Sequence, residues 1–368
     1  TSQSSAASDV YKRQGIAFGQ AMPGSLNPYA ANDPQPFNHF DANKQWFAAD
    51  GVPILPIDDA GQQNAYPLMR VSATLPAGAT VASLDVVLPV ASEADCQNCH
   101  ALGEVAAPFD NPIFIDADNI HDPNSVLQAA KHNILALHDD EHRTNLLNEK
   151  PVLCARCHYS AALDLAGTGP TMAQKGQPSM SAVMHEHHGE LTDPNTGAEL
   201  FPTNGTLEQT CYQCHPGKVT KCLRGAMGGA GIDCVDCHGS MLAVGRDTRE
   251  PWIDEPRCES CHTGDAVNND GAIRLSQAWS DDIDIATPRL ANNKRFAENE
   301  DTLYRNSLGH GGVACEGCHG STHAIWPNAL PTANDNVAAN QLQGHSGSIS
   351  ECSVCHTSLP LTLSLIHI

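Results

Sequence analysis

Apolar and polar residues alternate most regularly between residues 69 and 88. Met69, Val71, Ala73 and Leu75 alternate with Arg70, Ser72 and Thr74, and after Pro76-Ala77-Gly78 the alternation resumes at Ala82, Leu84, Val86 and Leu88. A period of two broken by Pro and Gly predicts two half-buried strands joined by a turn, the centre of a small β-rich module over residues 15–92. The stretch before it, with Asn27-Pro28, Asp33-Pro34 and Pro53, reads as loop. Helical periodicity comes later. Leu127, Ala130, Ile134 and Leu137 fall on one stripe behind a cap at Asn124 or Ser125. His138 and His142, four apart, share a face if that helix continues. A short helix is predicted from Ser181 to His188, stopped by Gly189, and another from about Asn293 to Leu308, stopped by Gly309.

Composition changes this picture. Of 368 residues 41% are hydrophobic and only 5% aromatic, so the chain struggles to build a sizeable core from its own side chains. Another source of apolar mass is expected. With 20 basic against 42 acidic residues the net charge is −22, a surface that a phosphate backbone repels, which argues against nucleic-acid binding. No run of 18 apolar residues writes a membrane span. The two ends read differently from the rest. Residues 4–14, SSAASDVYKRQ, and 363–368, LSLIHI, resemble translations of opposite strands of a sequencing-library adapter. Residues 1–14 and 363–368 are therefore set aside as scars, and the natural gene is expected to run beyond both.

The 15 cysteines and 19 histidines carry the chemistry. Seven C-x-x-C-H motifs take up 14 of the cysteines: Cys96/Cys99/His100, Cys154/Cys157/His158, Cys211/Cys214/His215, Cys234/Cys237/His238, Cys258/Cys261/His262, Cys315/Cys318/His319 and Cys352/Cys355/His356, numbered 1 to 7 below. Chance would supply roughly 0.03 copies at these residue frequencies. Two thiols three positions apart lie on one face of a helical turn, where each can form a thioether with one of the two vinyl groups of a heme. The histidine that follows then lies beneath the iron as its proximal ligand. Disulfides would not demand a histidine after every second cysteine, nor would zinc ribbons. Seven covalently attached heme c groups are the expected cofactors. Successive motifs begin 58, 57, 23, 24, 57 and 37 residues apart, so no solenoid period exists. At about 50 residues per heme, and with three motifs inside residues 211–262, the macrocycles are expected to touch and to act as the missing core. The expected fold is mostly irregular chain with short α-helices around stacked hemes over residues 93–362, preceded by the β-rich module.

Each iron can take a sixth ligand: histidine gives a low-spin carrier, methionine raises the potential, and an empty position admits substrate. The expected distal histidines are His138, His142, His185, His188, His310, His323 and His345. One of His185, His187 and His188 in M-H-E-H-H-G is spare, and close neighbours of a motif are expected to serve a different heme. His39, His121 and His132 read as surface histidines, and His367 lies in the scar. Cys222, the odd thiol, reads first as a small buried residue, with iron ligand, reactive thiol or a partner for a missing cysteine as the alternatives.

On these motifs the chain resembles the multiheme c-type cytochromes of respiratory bacteria. Segments such as CHGSMLAVG, EPRCESCHTGDA and CEGCHGSTHAIWPN look like those of large, mostly uncharacterised members, and the likeness covers roughly residues 45–362. The resemblance implies heme attachment outside the cytoplasm, a periplasmic or cell-surface location, and electron transfer along closely packed, mostly bis-His hemes. Its expected partners are redox proteins or terminal electron acceptors, with an outer-membrane partner for the β-rich start. The chain has no C-x-x-C-K, the catalytic-heme motif of pentaheme nitrite reductases. The leading expectation is an electron carrier without a catalytic residue. The alternative is a reductase of a small nitrogen or sulfur compound with one five-coordinate heme, and a third reading is a structural subunit of a heme filament.

Overall fold

The computed structural model describes residues 64–88, 93–249, 304–330 and 333–358 except 162 and 165–167, together with Phe37, residues 39–42 and 46–48, and Cys258. The described chain falls into two compact units. One takes the described residues within 1–92, 224–226 and 314–359, and the other those within 93–223 and 227–313.

In the first unit β1 (His39–Asp41) pairs antiparallel with β2 (Trp46–Ala48), opposing Phe40 to Phe47 at 5.0 Å between ring centres. β3 (Leu68–Thr74) and β4 (Thr80–Val87) form the antiparallel hairpin that the alternation predicts, in register Val71 to Leu84 and Arg70 to Asp85. Leu84 and Val86 pack on Trp326, Ala338 and Ala339, with Ile349 beside them. Alternation puts Leu84 and Val86 on the one face of β4 that meets the helix carrying Ala338 and Ala339. Asp85 accepts from Arg70 at 2.7 Å and from the Gln341 amide at 2.8 Å, while the Asp85 N–H donates to Gln341 Oε1 at 2.8 Å.

Deeper in that unit Arg224 and Asp335 form a bidentate ion pair at 2.7 and 2.8 Å, both side chains almost fully buried. The Asn328 amide also donates to Asp335, and the Tyr66 ring lies 5.2 Å from the Arg224 guanidinium carbon. Asn334 ties Tyr66 in turn, donating to its carbonyl at 2.7 Å. The charges are thus neutralised and hydrogen-bonded, the condition under which burial is tolerated.

The second unit begins with motif 1 in α1 (Gln97–His100) and is organised by α2 (Pro123–His142). α2 starts at Asp122, whose carboxylate accepts from the Asn124 N–H at 3.0 Å, and not at Asn124 or Ser125. Pro123 decides the matter: proline is favoured at the first helical position, which makes its predecessor the cap. The helix runs on to His142, keeping His138 and His142 on one helix. Its buried stripe is Ala129, Ala130, Asn133 and Ala136, smaller than the expected leucine and isoleucine stripe, and Ala136 with Leu137 packs on Ala107, Phe114 and Leu147. Small residues on this face bring α1 close. Asn133, fully buried, donates to the carbonyls of His100 and Ile115 at 3.0 and 3.1 Å and accepts from Ile115 N–H at 2.9 Å.

α3 (Met180–Gly189) is capped by Ser179, which accepts from Ala182 N–H at 3.1 Å. α4 (Cys234–His238) and α5 (Met241–Gly245) follow, and α5 lies against α3. A methyl group on Gly245 would come within 2.2 Å of the Glu186 nitrogen, so this approach requires a residue without Cβ. α6 (Cys315–His319) and α7 (Val337–Gln343) belong to the first unit. α4 and α6 end alike. Gly239 (φ 74°) and Gly320 (φ 81°) take the left-handed side of the map, and Ser240 and Ser321, both extended, start the next helical turn. The helix expected over residues 293–308 lies mostly outside the described residues; its end holds a single 3-10 turn, Tyr304–Asn306.

Candidate functional site

Six of the seven motifs adopt one local shape. The motif histidine N–H returns to the carbonyl of the first cysteine at 2.9 Å in motif 1, 3.0 Å in motif 2, 2.8 Å in motif 3 and 2.9 Å in motif 7. Motifs 4 and 6 are the helices α4 and α6. One turn thus places both thiols and the imidazole of each motif together. Of motif 5 only Cys258 is described; Cys261 and His262 lie outside the described residues.

Three motif histidines face a second imidazole. The ring centres are 6.5 Å apart for His100 and His188, 6.4 Å for His138 and His158, and 6.0 Å for His185 and His215. Two metal–nitrogen bonds of about 2 Å, plus about 1 Å from each nitrogen to its ring centre, give roughly 6 Å for two imidazoles on one metal ion. Among the described residues no group of three or more His, Cys, Asp or Glu is arranged to hold a metal ion by itself. A porphyrin iron needs only two protein ligands, since the macrocycle supplies four nitrogens. The donor set therefore fits a heme: paired thiols on a turn, one imidazole beside them and a second about 6 Å away.

None of the described motif cysteines is fully buried, and among the motif histidines His215, His319 and His356 are exposed. Cys157, the second thiol of motif 2, is only half-buried. It falls just past the 3-10 turn Cys154–Arg156, and the Arg156 guanidinium, held mainly by Glu149, also reaches it. Cys237, the second thiol of motif 4, is half-buried inside α4. His356 of motif 7, expected both to bind the heme and to ligate its iron, is exposed. It follows the 3-10 turn Cys352–Val354, and its N–H donates to the Cys352 carbonyl. The described motif turns are three to five residues long, too short to bury their own side chains. The three imidazole pairs belong to motifs 1, 2 and 3.

Hydrogen bonds fix which nitrogen is available. His185 Nδ1 lies 2.9 Å from the Ser181 carbonyl, His188 Nδ1 2.6 Å from that of Met184 and His158 Nδ1 3.0 Å from that of Pro178. A carbonyl only accepts, so these rings carry hydrogen on Nδ1 and the lone pair on Nε2. His138 Nδ1 meets the Thr144 hydroxyl at 2.8 Å, and that hydroxyl reaches Asp139 at 2.6 Å. His319 Nδ1 meets Ser348 Oγ at 3.0 Å. His100 is the exception, its Nδ1 buried without a hydrogen-bond partner. Burial holds His100 and His185 at about 4, well below the usual imidazole value, so both rings are neutral donors at neutral pH.

Neighbouring motifs lie close. Cys211 and Cys234 of motifs 3 and 4 share a hydrogen bond that lowers the first thiol and raises the second. Cys214 interacts electrostatically with Cys96 and Cys99, and Cys318 with Cys355. Motifs 1 and 3 are also clamped together. The Glu93 carboxylate accepts the N–H groups of Gly217, Lys218, Val219 and Thr220 at 3.2, 2.7, 2.9 and 2.8 Å. Asp95 pairs with Lys218, the Asp95 N–H donates to the Gln213 carbonyl at 3.0 Å, and Asn98 donates to Gln213 Oε1 at 3.2 Å. Partial burial works against the Glu93 carboxylate, but the Thr220 hydroxyl and the backbone amides outweigh it and lower the group to about 2.

The remaining expected distal ligands have other surroundings. His142 contacts His138, ring centres 4.8 Å apart. The His323 carbonyl accepts from Arg224 and Gly225, and His310 opens a 3-10 turn, His310–Gly312. His345 Nδ1 lies 3.0 Å from the Ser346 carbonyl and its Nε2 3.8 Å from Glu351. Cys222 is half-buried, its N–H donating to the Pro216 carbonyl at 2.7 Å. The Glu93 clamp and the spacing of partners such as His100 and His188 have no local sequence signal. No helix among the described residues is long and apolar enough to cross a membrane. Among known proteins, no family model, no curated protein and no solved structure matches this chain.

Proposed function

We propose that this chain is a multiheme c-type cytochrome that carries electrons along closely packed, mostly bis-His hemes in an exported respiratory chain. One observation carries the reading: histidines of three C-x-x-C-H turns each have a second imidazole 6.0–6.5 Å away, centre to centre. Heme iron, when bound, supplies a reversible one-electron couple. The chain's residues do the rest. Paired thiols anchor each macrocycle through thioethers, and the motif imidazoles bind through Nε2. His138, His185 and His188 take second positions, while His142, His310, His323 and His345 remain candidates for others. Carbonyls at Ser181, Met184 and Pro178 orient the rings and raise their basicity, which favours low potentials. The acidic surface, −22 overall, favours cationic redox partners or metal-cation acceptors, with binding that weakens in salt. The location that goes with this chemistry is the periplasm or the cell surface.

Intact-mass spectrometry of mature protein tests the reading directly. Seven added heme masses are expected, and the bare polypeptide mass would refute it. Electron paramagnetic resonance of the ferric protein separates carrier from reductase. Low-spin signals throughout fit the carrier, whereas a high-spin component shifted by nitrite or cyanide would move the assignment to the reductase.

A further inference from the structure

We infer that helix α3 ligates two different irons, His185 that of motif 3 and His188 that of motif 1, and so holds two unlike heme sites as a fixed pair. The inference rests on the cytochrome reading and extends it to which histidine serves which site. Three residues along a helix, the two side chains differ by about 4.5 Å in height and about 60° in direction, so they diverge instead of converging on one metal. Each meets a different motif histidine, His215 at 6.0 Å and His100 at 6.5 Å. The helix also sets both tautomers, because each Nδ1 reaches the carbonyl four residues back, Ser181 or Met184. His187, between them, is exposed and its ring meets His188 edge-on at 5.3 Å, which makes it the spare histidine of the three.

Both sides of the pair are fixed. On the motif side the Glu93 carboxylate and the Asp95, Asn98 and Gln213 contacts hold turns 1 and 3 together. On the distal side Ser181 Oγ donates to the Val244 carbonyl at 3.1 Å, and Gly245 lets α5 close on α3. The two sites differ in ring geometry: the planes of His185 and His215 are 8° apart, those of His188 and His100 73° apart. Near-parallel imidazoles split the iron π-type orbitals and give a rhombic low-spin ferric spectrum. Near-perpendicular ones leave those orbitals almost degenerate and give a strongly anisotropic spectrum with a large maximum g value.

The test is electron paramagnetic resonance, with spin counting, of the mature heme-loaded chain. H185A is expected to remove one rhombic low-spin component and add one high-spin heme. H188A is expected to remove one strongly anisotropic low-spin component and likewise add one high-spin heme. The double variant should show two high-spin hemes, and H187A none. A double variant with one or no new high-spin heme, or a high-spin heme in H187A, would overturn the inference. H185M and H188M serve if the alanine variants fail to mature, because a thioether keeps the iron six-coordinate. Each should raise the potential of one separate heme in a redox titration; a shift of the same heme in both, or of none, counts against it. Heme stoichiometry of the unaltered chain distinguishes the two levels. Absence of covalent heme removes the cytochrome reading and this inference with it, whereas full stoichiometry with the wrong spin pattern removes only the assignment to α3.

Discussion

The two units hold their motif turns by different physics. Around motifs 1 to 4 the fixing groups are polar and local to the turns: a carboxylate on four backbone amides, a buried asparagine on the His100 carbonyl, and helices presenting imidazoles. Around motifs 6 and 7 the support is a small apolar cluster under a hairpin, braced by one buried ion pair. The first arrangement specifies direction, because every bond has an angle. The second supplies apolar burial, which is non-directional, and adds a buried bidentate ion pair. The lesson is that a chain poor in large apolar residues can still orient its imidazoles when the hydrogen bonds converge on the turns that bear them.

Substitutions that strike one unit and spare the other sharpen this contrast. The largest effect is expected from Arg224→Met, which leaves the Asp335 charge buried without its partner. Loss of one member of a buried pair costs about 3–5 kcal/mol, so denaturant titration should show early melting of the unit with motifs 6 and 7. If stability is unchanged, the ion pair is not the brace. Gly245→Ala comes next, as overpacking where Glu186 backbone already fills the space. A cost of about 1–3 kcal/mol and heterogeneous low-spin signals from the unit with motifs 1 to 4 are expected in denaturation and electron paramagnetic resonance.

Glu93→Gln should cost less, about 1–2 kcal/mol, since one amide oxygen still accepts while its NH2 group faces donors. Its pH signature is specific. The folded carboxylate titrates at about 2, below its ordinary value of 4.5, so its contribution is complete above about 4.5 and fades as pH falls toward 2. The glutamine variant should lose that acid limb in melts at graded pH; an unaltered limb would show that the clamp is not what titrates. The smallest effect is expected from Thr144→Val. It removes the acceptor of His138 Nδ1–H, lowers ligand basicity and should raise one heme potential in a spectroelectrochemical titration, leaving the sites of motifs 6 and 7 unmoved.

Much of the local structure was legible in sequence. Alternation at residues 69–88 points to the β3–β4 hairpin, three-four spacing to α2 and the glycine stop at 189 to α3, because each signal is written within one element. The cap at Asp122 is masked in the sequence because Asp122, Asn124 and Ser125 can all cap, and only the preference of Pro123 for the first turn separates them. The exposure of His356 was not legible either, since the motif fixes the turn and says nothing of what packs over it. His138 beside His158 was half legible, twenty residues apart behind a helix. His188 opposite His100 was not, nor was Glu93 on the amides of 217–220 or Arg224 on Asp335. Those partners lie about 90 to 130 residues apart and no periodicity connects them, so only the folded chain selects them.

The His–Gly–Ser corner that ends both α4 and α6 sets the bearing at which the chain leaves an imidazole through two backbone dihedrals. Such a corner is a portable joint. Cable of any length can be spliced after it without re-machining the fitting, and a protein assembled from joints of this kind can accept unequal intervals between its motifs as easily as equal ones.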